Sequence, residues 1–100
     1  MKLETSKFSR LAAVCAECEG RSDGPRHLDS KWAAKELRRL GSDALVRVRI
    51  VRTRCLGMYP RKALAGVVFG EALPAVTAEM QDEADLRALA RYAFGSTPKG

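Results

Sequence analysis

Histidine is nearly missing from this chain: one residue in 100, beside one tryptophan, three cysteines and an aromatic content of 6%. A single histidine excludes catalytic schemes that need two. Three cysteines close at most one bridge and leave a thiol over, which excludes a disulfide-rich scaffold and points to a reducing, cytoplasmic setting. No apolar run approaches the ~18 residues that cross a membrane as a helix. The stretch Leu11-Ala12-Ala13-Val14-Cys15 has the outline of a lipoprotein cleavage box, but Val14 is not small and the apolar segment before it is too short for a secretory signal. The glycines form no Gly-x-Gly-x-x-Gly pattern and no phosphate loop, so nucleotide binding has no motif to rest on. A non-enzymatic protein is the expectation.

What is present is a globular composition, 46% hydrophobic and 30% charged with a net charge of +6. Such a chain is one domain, 1–100, able to bury roughly two-thirds of its unfolded surface. The core is expected over residues 8–94, with flexible tails at 1–6 and 96–100. Residues 8–14 read as a buried strand running into Cys15, and residues 15–30 carry loop chemistry. Asp29 or Ser30 caps a helix that Gly41 ends, with Ala33, Ala34, Leu37 and Leu40 at helical spacing. Trp32, in its first turn, reads as a packing anchor. Residues 45–51 alternate apolar and basic side chains, which predicts a strand with Val46, Val48 and Ile50 inward and Arg47 and Arg49 outward. Residues 64–69 and 73–78 form a hairpin around Gly70-Glu71, and a final helix runs from Asp82 to about Phe94. The order is α/β (α+β), a small mixed sheet with two packed helices and a parallel first crossover.

The cysteines fall at strand ends. Cys15-Ala16-Glu17-Cys18 follows strand one and Cys55 follows strand two, so parallel neighbours would bring all three thiols to one edge. Soft metals and iron–sulfur clusters need thiolates aimed at one point. The segment Val51-Arg52-Thr53-Arg54-Cys55-Leu56-Gly57-Met58-Tyr59-Pro60-Arg61-Lys62-Ala63-Leu64-Ala65 resembles the second cluster loop of thioredoxin-like 2Fe–2S ferredoxins. There a strand ends in Cys-Leu-Gly-x-Cys-Pro, a short basic segment leads into a hairpin, and a first cysteine pair follows strand one. The resemblance spans residues 8–94. It implies a thioredoxin-like β-α-β-β-β-α fold, a 2Fe–2S cluster on Cys15, Cys18 and Cys55, and electron transfer as the role.

Tyr59 stands where that family has its fourth cysteine. A phenolate with an ordinary pKa near 10 is a poor ligand unless the metal drives its deprotonation. His27 is the other possible fourth donor, since histidine replaces cysteine in Rieske-type centres and completes three-cysteine zinc sites. Zinc is therefore the alternative metal, and a protein without metal the third outcome. Between Asp43 and Glu71 there is no acidic residue. Arg47, Arg49, Arg52, Arg54, Arg61 and Lys62 are read as a docking patch beside the cysteines for an acidic redox partner. Nucleic acid ranks last, because no aromatics interleave with these residues. A membrane partner is not expected, and the protein is a monomer or homodimer. The alternative role is a degenerate thioredoxin-fold module, without a cluster, acting in protein–protein interaction.

Overall fold

The computed structural model describes residues 2–3, 8–18, 24–25, 27–54, 58, 61–70 and 73–95. Among them the elements are β1 (Arg10–Cys15), α1 (Ser30–Leu40), β2 (Val48–Thr53), β3 (Leu64–Gly70), β4 (Leu73–Met80) and α2 (Glu83–Phe94). The strands form one sheet in the order β2-β1-β3-β4. β1 and β2 are parallel, joined through α1, while β1–β3 and β3–β4 are antiparallel. This is the β-α-β-β-β-α order and mixed sheet expected from the sequence, in a thioredoxin-like arrangement.

Local chemistry sets the helix limits. The Asp29 carboxylate accepts the Trp32 N–H at 3.0 Å, satisfying one of the donors a helix start leaves unpaired. At the far end the Gly41 N–H reaches the Leu37 carbonyl at 3.1 Å, and a Cβ at Gly41 would lie 2.1 Å from the Phe94 ring. Only glycine lets α1 end against α2 in this way. On α2, Asp82 caps through the Asp85 N–H at 3.1 Å. Replacing Asp29 with alanine is expected to lower stability by about 1 kcal/mol, read as a lower urea midpoint at constant slope.

Both helices lie on the same face of the sheet, since they touch each other at Gly41 and Phe94 and both meet β1. Ala33, Ala34 and Leu37 of α1 and Leu86, Leu89, Ala90 and Ala93 of α2 are buried there. They meet Ala12, Val14, Ile50, Val68 and Met80 from the strands. Two side-chain bonds tie the layers. Arg10 Nη1 donates to the Ala93 carbonyl at 2.9 Å, and the Tyr92 hydroxyl donates to the Pro74 carbonyl at 2.8 Å. The opposite face, with Leu11, Arg49, Val51, Val67 and Phe69, carries no helix among the described residues.

Three expectations need correction. β2 starts at Val48 rather than at residue 45, because β1 starts at Arg10 and pairs it with Val48. Before Val48 the Arg47 carbonyl still accepts the Arg10 N–H, but the pairing goes no further back and Leu45 is fully exposed. The strand instead runs on to Thr53, opposite Cys15. Trp32 is 37% exposed and is not a core anchor; alanines and Leu37 fill that position. β4 also extends past Ala78 to Met80, which pairs with Leu64 and is buried.

Candidate metal centre

The parallel β1–β2 pair determines what stands near the thiols. Cys15 ends β1 opposite Thr53, and the Ala16 N–H donates to the Thr53 carbonyl at 2.7 Å. The chain therefore leaves both strands at the same edge of the sheet. Cys18 sits in the turn that follows β1, and its Sγ accepts the Ala65 N–H at 3.5 Å. Cys15 and Cys18 are each 2% exposed, and neither forms a disulfide. Glu17 between them meets Arg54 Nη1 at 3.5 Å, an exposed ion pair linking the turn to the end of β2. Such a pair contributes little energy but marks the two segments as neighbours.

Cys55 and Tyr59 lie outside the described residues. In sequence Cys55 follows Thr53 by two positions, and Thr53 is the residue paired with Cys15. Met58 is half-buried against the core. His27 is exposed, two positions before the α1 cap. Among the described residues no three histidine, cysteine or acidic side chains come together as a metal-holding group, so His27 does not complete a set with Cys15 and Cys18.

The six basic residues separate into two groups. Arg52 and Arg54 stand at the carboxyl end of β2, level with the cysteine turn, and Arg61 and Lys62 precede β3 at the same edge. Arg52 Nε also donates to the buried Ser30 hydroxyl at 3.1 Å, tying β2 to the start of α1. Arg47 and Arg49 are at the other end of β2, about 13 Å from Thr53 for Arg49 at strand rise. There the Arg47 carbonyl accepts the Ser9 and Arg10 N–H groups, and the Arg49 guanidinium lies 5.6 Å from the Phe8 ring centroid. Sequence alternation along β2 pointed Arg47 and Arg49 outward and set Arg52 on the other face, but it did not show which neighbours each side chain meets.

Among the described residues the helix that follows the cysteine pair is α1, which begins at Ser30 behind its own cap. The dipole that lowers a redox thiol's pKa in thioredoxin-type enzymes is thus not aimed at Cys15 from α1. No described helix is long and apolar enough to cross a membrane. Fold and site together define a class: a thioredoxin-like two-layer protein with buried cysteines at the carboxyl edge of its parallel strands. No protein-family model, curated protein or solved structure matches the chain.

Proposed function

We propose that the protein is a small ferredoxin-like carrier in which Cys15, Cys18 and Cys55 hold a 2Fe–2S cluster or a related metal. The observation that carries this reading is the β1–β2 register, which pairs Cys15 with the residue two before Cys55. The donor chemistry fits: thiolates are the usual cluster ligands, and the Ala65 N–H on Cys18 Sγ stabilises charge on sulfur. Burial of both thiols limits water around the sulfurs, a lever on potential. A bound cluster would supply one-electron exchange. Arg52, Arg54, Arg61 and Lys62 supply positive charge at the edge where an acidic partner would dock.

A second reading is a thioredoxin-fold binding module without metal. It is favoured by the 2% exposure of Cys15 and Cys18, which suits thiols acting as small core residues.

Oxygen-free purification with iron, sulfide and zinc assay separates them. A coloured protein holding iron and sulfide is the expected result; colourless protein without iron, sulfide or zinc overturns the metal reading. Zinc that disappears in His27→Ala would replace the cluster with a three-cysteine, one-histidine site. Tyr59→Cys, which adds a thiolate in the family's fourth position, is expected to raise iron and sulfide retained per chain.

A further inference from the structure

The outer edge of β2 has the features of a strand-docking site. β2 is a terminal strand of the sheet, hydrogen-bonded only to β1 within it. The carbonyls of Arg47 and Thr53 turn inward to β1, accepting from Ser9, Arg10 and Ala16. In a parallel ladder alternate residues face alternate sides, so Val48, Ile50 and Arg52 turn their backbone N–H and C=O groups outward. The Ile50 carbonyl shows that orientation directly: it accepts a bond from Arg38 Nη2 of α1 at 3.1 Å. Along this edge runs a groove of about 490 Å³, lined by Phe8, Arg38, Val48, Arg49, Val51 and Arg52. Three of those side chains are guanidinium groups, and no carboxylate lines the groove.

The other edge of the sheet is protected. β4 carries Pro74, which has no N–H to offer, and the Tyr92 hydroxyl caps the Pro74 carbonyl. Among the described residues, the β2 edge combines outward backbone groups, an apolar floor and a single sign of charge.

We propose that the β2 edge binds an extended acidic segment of a partner protein as an added strand. Main-chain bonds to Val48, Ile50 and Arg52 give the register, Val51 and Phe8 receive apolar side chains, and Arg49 and Arg52 pair with carboxylates on the two faces. Arg38 acts as a placeholder. Its guanidinium covers the Ile50 carbonyl in the free protein and turns to a carboxylate when a strand N–H takes that acceptor. Opposite charge selects the partner and speeds its encounter, while the backbone ladder is indifferent to sequence. Neither thiol takes part, so the proposal stands apart from the metal reading.

The test uses the full-length protein and a short, end-capped synthetic peptide in which glutamate alternates with valine. Amide exchange and chemical shifts, followed by NMR, are expected to show protection and movement at Val48, Ile50 and Arg52. The same peptide N-methylated at alternate positions, which cannot form the ladder, is expected to bind about tenfold more weakly. A glutamine-for-glutamate peptide and the Arg49→Glu protein should each weaken binding by a similar factor. Failure of the parent peptide to bind, or equal binding of the N-methylated one, overturns strand addition. Shifts confined to Arg61 and Lys62 would place the contact at the cysteine edge instead. A single-stranded oligonucleotide that moves the β2 amides while the peptide leaves them still would assign this edge to phosphate.

Discussion

Leu37→Ala is expected to remove about 2–5 kcal/mol of folding stability, a large part of the margin of a small domain. Leu37 is 0% exposed and occupies the centre of the stripe that α1 turns toward the sheet. Its flanking residues on that stripe, Ala33 and Ala34, are too small to move into the space left behind. The cavity would open where α1 meets β1 and β2, the crossover that makes those strands parallel. Trp32→Ala offers the contrast. Its side chain is far larger, but it is 37% exposed and outside the buried stripe, so its removal opens onto solvent rather than into a closed cavity and a smaller loss is expected. Urea unfolding of both variants decides the matter: the leucine variant should show much the lower midpoint at unchanged slope. A larger loss from Trp32 would mean that α1 is anchored by its first turn instead.

That contrast also marks what was legible in the sequence. Helix limits came through because caps are local: Asp29, Gly41 and Asp82 act on atoms within a few residues of themselves. The hairpin was readable for the same reason. The start of β2 was not. Alternation from residue 45 to 51 specifies which side chains share a face, but a strand exists only where a neighbour pairs with it. That neighbour, β1, starts at Arg10. The size of Trp32 likewise suggested an anchor, although burial depends on which arc of α1 meets the sheet. At the cysteine edge, the parallel crossover was legible through the β-α-β order, and with it the approach of Thr53 to Cys15. The division of the basic residues was legible only in part. A period of two points Arg47 and Arg49 outward and sets Arg52 on the other face, but it does not show that Arg49 meets Phe8 at one end of β2 while Arg52 meets Ser30 at the other.

Cys18→Ala is expected to abolish iron and sulfide retention while costing the metal-free protein only about 1 kcal/mol, the scale of one small buried group. The two quantities separate because they draw on different properties of the same atom. As packing, Sγ fills a little space in a core where the residue is 2% exposed. As a ligand it contributes a metal bond, and a metal held by the native state but not by the unfolded chain adds its binding free energy to stability. The wild-type protein should therefore unfold at a higher urea concentration without chelator than with it. In Cys18→Ala that difference should vanish, and Cys15→Ala and Cys55→Ala should behave alike. Serine is a poorer choice at this position, because its hydroxyl would need a hydrogen-bond partner in a buried site. Identical midpoints for the wild type with and without chelator, after oxygen-free preparation, would leave Cys18 as a packing residue whose sulfur accepts the Ala65 N–H. The thioredoxin-like frame would then stand as a binding module, with its basic β2 edge as the remaining functional surface.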